Sequence, residues 1–103
     1  MAKCNSCEQK GLLFRVDKVG LCKTCRPKID AEIETHSNAI YEDMHVFERA
    51  QDPTEKLAAI DHLLAAAAAL MPYEDWGMET CSPPAKLVHA EYTGFRDDLT
   101  QGG

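Results

Sequence analysis

Four cysteines carry the clearest chemistry in this chain of 103 residues: Cys4-x-x-Cys7, fourteen intervening residues, then Cys22-x-x-Cys25. Each short C-x-x-C turn brings two sulfurs onto one point, and two such pairs supply the four soft ligands, at about 2.3 Å, that tetrahedral zinc requires. Four thiolates close the coordination sphere and leave no position for a reactive water, so the expected role is structural, with one zinc ion held per chain. A redox dithiol would need a single C-x-x-C in a βαβ setting, which is absent here, whereas iron suits the same four thiolates. Cys81 stands far from the other four. An odd, distant thiol does not fit a disulfide framework, and it is expected to be free and inert rather than a nucleophile.

The elements that must position these ligands follow from the pattern around them. Leu12, Phe14 and Val16 alternate with Leu13 and Arg15, as in a strand. Asp17-Lys18-Val19-Gly20 has Asp first and Gly last, the preferred ends of a type I turn, and Leu21 leads back into Cys22. A short β-hairpin is therefore expected between the two pairs, giving a metal-clipped unit over residues 1–28. A helical body is expected over 29–103. Ile29, Ile33, Ile40, Met44 and Phe47, with His36 on the same stripe, recur at helical spacing, and Pro27 falls in the first turn, where its missing N–H has no partner to lose. Asp52 suits an N-cap, Pro53 the first helical position and Glu55 the third. The second helix carries Leu57, Ile60, Leu63, Leu64, Leu70 and Met71 among alanines and is expected to stop at Pro72. A loop from Tyr73 to Pro84 follows, and a third helix is expected from Ser82, with Leu87, Val88, Tyr92, Phe95 and Leu99 as its apolar stripe and Gly94 weakening it. Three amphipathic helices with short links imply an antiparallel three-helix body, the alternative being a first helix that extends from the finger as a stalk.

Knuckle, hairpin and a helix entered at the second cysteine pair resemble a treble-clef or zinc-ribbon finger. The run CNSCEQKGLLFRVDKVGLCKTC also resembles the opening of short bacterial and phage zinc-finger proteins of uncharacterised function. That resemblance covers about a quarter of the chain and implies binding of protein or nucleic acid, with no activity attached. Pro27, just after Cys25, departs from fingers whose last ligand lies well inside the helix, which leaves treble clef and plain ribbon both open.

Charge is divided along the chain. Residues 1–28 hold seven bases against Glu8 and Asp17, a net +5, and residues 29–103 hold four bases against fifteen acids, a net −11. Four thiolates and one zinc ion would reduce the head to about +3. A basic head on an acidic body is expected to meet different partners with its two surfaces. Arg15, Lys18 and Lys23 are expected to point to solvent and, with Trp76, form the candidate partner surface. Against that role, Trp76 is more readily read as a plug at the end of the helical body. The four histidines, His36, His45, His62 and His89, form no metal-binding pair, with His36 and His62 expected packed or half-exposed. No paired acid and base, phosphate loop or open metal site is visible, so a non-enzymatic protein is expected. The leading expectation is an adaptor or regulator that binds another protein. A nucleic-acid-binding regulator working through the basic finger is the alternative. Clustered cysteines and the lack of an apolar leader point to the cytoplasm, and the longest apolar run, Leu63 to Met71, falls short of the roughly 18 residues a membrane span needs.

Overall fold

The computed structural model describes residues 3–9, 11 and 15–101. Three helices dominate it: α1 (Cys25–Arg49), α2 (Pro53–Asp75) and α3 (Ala85–Gln101). Among the described residues there is no strand, so the expected β-hairpin is not seen there, and its Leu12–Phe14 arm lies outside the described residues.

Helix α1 buries Cys25, Ile29, Ile33, Ser37 and Ile40, a stripe at three- and four-residue steps that presents one face to α2. It ends at Ala50, and Asp52 then adopts extended backbone, as a residue before proline prefers. The Asp52 carboxylate accepts the Thr54 N–H at 3.0 Å and caps α2 as expected. The chain reverses here, so α1 and α2 run antiparallel; at their far end the Tyr73 phenol donates to Glu32.

Helix α2 does not stop at Pro72. It continues for a further turn and closes at Gly77, whose φ is +90°. The Gly77 N–H bonds the Glu74 carbonyl at 2.9 Å and the Met78 N–H bonds the Tyr73 carbonyl at 3.1 Å, the paired arrangement of a Schellman cap. Met78, the residue after Gly77, is buried. Pro72 removes only the hydrogen bond to the Ala68 carbonyl, and Ala68 is exposed, so water can replace that bond.

Helix α3 begins at Ala85 rather than Ser82. Two successive prolines hold Ser82 and Pro83 away from helical backbone, and the Ser82 N–H bonds the Tyr41 hydroxyl at 2.9 Å instead. The donors at the start of α3 are satisfied from a distance. Glu74, in the last turn of α2, accepts the Ala85 N–H at 2.6 Å and the Lys86 N–H at 3.1 Å.

The body is antiparallel but not a symmetric three-helix bundle. α2 packs against both α1 and α3, while the backbones of α1 and α3 do not approach each other comparably. The outer helices meet through side chains: Phe47 stacks on Phe95 at 5.7 Å and lies edge-on to Tyr92 at 5.5 Å. The alanines explain this layout. Ala59, Ala66 and Ala67 are buried, and their small side chains let a central helix accept a neighbour on more than one face. Leu87 departs from the expected stripe and is 60% exposed, and His62 is exposed, whereas His36 is half-buried.

The molecule is a rod of 59 × 20 × 18 Å with a radius of gyration of 16.8 Å. A compact chain of this length would have about 13 Å. The cysteine-bearing segment extends the rod at the α1 N-terminus, and one continuous core joins it to the body, running from Cys4, Leu21 and Cys22 through Ile29 and Ile33 to Leu63 and Val88.

Candidate metal centre

The two cysteine pairs converge. The sulfurs of Cys4, Cys7, Cys22 and Cys25 all lie within 4.8 Å of one another. All four are free thiols, and Cys7 and Cys22, at 3.9 Å, are far beyond disulfide length. Four ligands at about 2.3 Å around a tetrahedral ion stand ~3.8 Å apart, so this set fits such an ion with shifts of less than about 1 Å. The donor set is therefore positioned to bind a metal ion. Cys81 is not in the cluster.

Local backbone geometry builds the site from both sides. The Cys4 N–H bonds the Gln9 carbonyl at 3.0 Å and the Glu8 N–H bonds the Cys4 carbonyl at 3.0 Å, curling the first knuckle around its sulfurs. Glu8 takes the left-handed conformation at φ +62°. The second pair sits where a turn becomes helix: Cys22 ends the approach, its carbonyl accepts the Arg26 N–H at 2.9 Å, and Cys25 is the first residue of α1.

The turn that leads into the second pair is held by Asp17 and Asn5. The Gly20 N–H closes the turn onto the Asp17 carbonyl at 2.9 Å, as the Asp-x-x-Gly spacing predicts. Asp17 Oδ1 accepts the N–H groups of Val19 and Leu21 at 3.0 and 3.1 Å, and its Oδ2 accepts from Arg26 at 2.8 Å. Burial opposes ionisation of this carboxyl, but the Leu21 N–H, the Arg26 guanidinium and the Val19 N–H outweigh it and hold it below the usual range. Asn5 joins turn to knuckle. Its N–H bonds the Gly20 carbonyl at 2.7 Å and its side-chain amide bonds the Val19 carbonyl at 2.9 Å. Asn5 thus serves the backbone of the turn.

Cys4, Cys22 and Cys25 are buried and Cys7 is exposed. Burial pushes the Cys4 thiol up, but backbone N–H groups of Cys22, Cys7 and Ser6 overcome it and bring it down to about 6. The Cys22 N–H points at the Cys4 sulfur at 3.4 Å. Cys25 goes the other way, pushed up to about 11 by burial and by the thiols of Cys22, Cys7 and Cys4. Sulfurs this close disfavour several negative charges together, and a divalent cation among them removes that conflict.

Of the remaining candidate residues, Arg15 and Lys23 line one cleft beside the cluster, and Lys18 is exposed on the turn. Trp76 is elsewhere. It is half-buried against the core with its ring 5.2 Å from that of Tyr73. Cys81 is half-buried beside Thr80, and burial raises its thiol above the ordinary value. It lines a cleft of about 780 Å³ between Tyr41 and the start of α3. The sequence does not reveal the role of Glu74, nor that Asn5 bonds the turn, because both depend on partners distant in the chain.

No protein-family profile matches the chain, and no curated protein or solved structure gives a match. Among the described residues, no helix is long and apolar enough to cross a membrane.

Proposed function

We propose that this protein is a non-enzymatic zinc-binding adaptor, in which one structural zinc ion organises a finger at the end of a helical rod and the finger presents a surface to another protein. The observation that carries this reading is the convergence of four sulfurs within 4.8 Å of one another. Four thiolates suit zinc and fill its tetrahedral shell, which leaves no place for a substrate or reactive water. The ion would be held by Cys4, Cys7, Cys22 and Cys25 and would supply folding energy rather than chemistry. The start of α1 at Cys25 favours a treble-clef-like finger over a plain ribbon, because the second ligand pair then leads into the helix.

The division of charge supports a binding role for the head. A net +5 over residues 1–28 stands at one end of a rod whose remainder carries −11. The test is capture from native cells with zinc-loaded protein and with Cys22→Ser. Partners retained by the loaded protein and lost with the variant support the adaptor; identical capture by both refutes it. The second reading, a nucleic-acid-binding regulator, draws on the exposed bases Arg15, Lys18 and Lys23. A steep salt dependence of binding to DNA or RNA, abolished by charge reversal at those residues, would decide for it.

A further inference from the structure

Beside the sulfur cluster a cleft of about 420 Å³ opens between the turn and the start of α1. Its lining is divided by chemistry. Val16, Leu21 and Pro27 give it an apolar surface, with Leu21 almost fully buried at its base. Asp17 and Arg26 form a wall of committed charges: Arg26 pairs with Asp17 at 2.8 Å and with Asp30 at 3.1 Å. Arg15 and Lys23 remain on the lining, both exposed, and among the described residues neither pairs with a carboxylate. The cleft therefore offers two uncommitted cations around an apolar floor.

We propose that this cleft takes a short acidic segment of a partner protein, an aspartate or glutamate engaging Arg15 and Lys23 while an adjacent apolar side chain rests on Val16, Leu21 and Pro27. The proposal rests on the adaptor reading and names the chemistry of its partner. Charge complementarity selects carboxylates, and the apolar floor selects a segment that also carries an aliphatic side chain. A nucleic acid fits less well. Among the described residues the cleft offers no aromatic ring to stack a base. Exposed Glu32 and Glu34 follow along α1, so a long polyanion would be laid against like charge. A short segment need not extend along α1 to them, and exposed charges more than about 8 Å apart are largely screened at physiological salt. Trp76 does not line the cleft and takes no part.

The test uses the zinc-loaded full chain and a fluorescein-labelled peptide of alternating glutamate and leucine. Comparison probes are the same peptide with lysine for glutamate and a single-stranded oligonucleotide of equal negative charge. The acidic peptide should bind best, and nuclear magnetic resonance shifts on binding should centre on Val16, Lys23 and Leu21. Arg15→Glu with Lys23→Glu, both exposed positions, should keep the zinc and the helix content, weaken the acidic peptide by about tenfold or more, and shift preference to the lysine peptide. Lys23→Arg should retain binding. Equal binding of both peptides by the wild type overturns the proposal, as does tighter binding of the oligonucleotide. Concentration-dependent self-association abolished by the same reversals would overturn it in favour of a second copy's acidic body as the occupant. The adaptor reading fails separately, through unchanged capture by Cys22→Ser, so that cleft chemistry and adaptor role are judged on different measurements.

Discussion

The Arg26 guanidinium donates to Asp17 Oδ2 at 2.8 Å, tying the first turn of α1 to the turn that joins the two cysteine pairs. The other Asp17 oxygen accepts both turn N–H groups, so one carboxylate holds the segment in two directions. The two directions differ in weight. The ion pair is exposed to solvent and contributes little, whereas the turn bonds fix backbone. Asp17→Ala should destabilise the metal-loaded protein by about 2 kcal/mol, while Asp17→Asn, whose amide oxygen can still accept the turn N–H groups, should cost about half as much. Arg26→Ala should change stability least of the three. Urea unfolding of the loaded forms gives the order, and an Asn variant as damaged as the Ala variant would contradict it.

Glu74 plays the corresponding role at the other link. It accepts from Ala85, Lys86 and the Thr80 hydroxyl, and its charge faces the N-terminal end of the α3 dipole. Glu74→Ala should cost about 2 kcal/mol and speed amide hydrogen exchange selectively at the start of α3. Uniform acceleration over all three helices would show that the residue supports the body generally instead.

Much of the architecture was legible before the structure, and the misses have a common cause. The cysteine spacing located the cluster because the C-x-x-C turn is local, and Asp52-Pro53 located the start of α2 because a cap acts within a few residues. Pro72 reads as a stop because its effect is local, whereas the Schellman closure that ends the helix is supplied downstream by Gly77 and Met78. Ser82 misled because its capping work is done by Glu74, a residue of the preceding helix. The uneven packing around α2 was hidden for a similar reason: periodicity identifies an apolar face but not how many neighbours an alanine-rich helix receives.

Two glycines in the left-handed region should respond differently to alanine. A Cβ at Gly77 meets nothing within 4 Å, so Gly77→Ala should cost only the conformational strain of φ +90°, about 1 kcal/mol. A Cβ at Gly20, where φ is +81°, would collide with the Asn5 side-chain amide and displace it from the Val19 carbonyl. Gly20→Ala should therefore cost about 2 kcal/mol or more and weaken metal retention in a chelator competition. Equal effects at the two sites would remove Asn5 from the account.

The Tyr73 phenol donates to Glu32, and that bond, with burial and the neighbouring negative charge, pushes it up to about 12. The folded value lies above the unfolded one of about 10, so the neutral phenol is favoured by folding. Its contribution to stability should be complete below about pH 10 and disappear as the pH rises through about 12. Tyrosinate absorbance, taken as the difference between wild type and Tyr73→Phe, should show this late titration, and Glu32→Gln should move it earlier. A Tyr73 titration at the ordinary tyrosine value would contradict the contact.

Native mass spectrometry of the zinc-reconstituted chain tests the central claim most directly. One zinc ion should be found per chain, should be lost with Cys22→Ser, and should be retained with Cys81→Ser, because four sulfurs converge and the fifth stands apart. A wild-type chain that remains metal-free after reconstitution, or loss of the ion on changing Cys81, would contradict it.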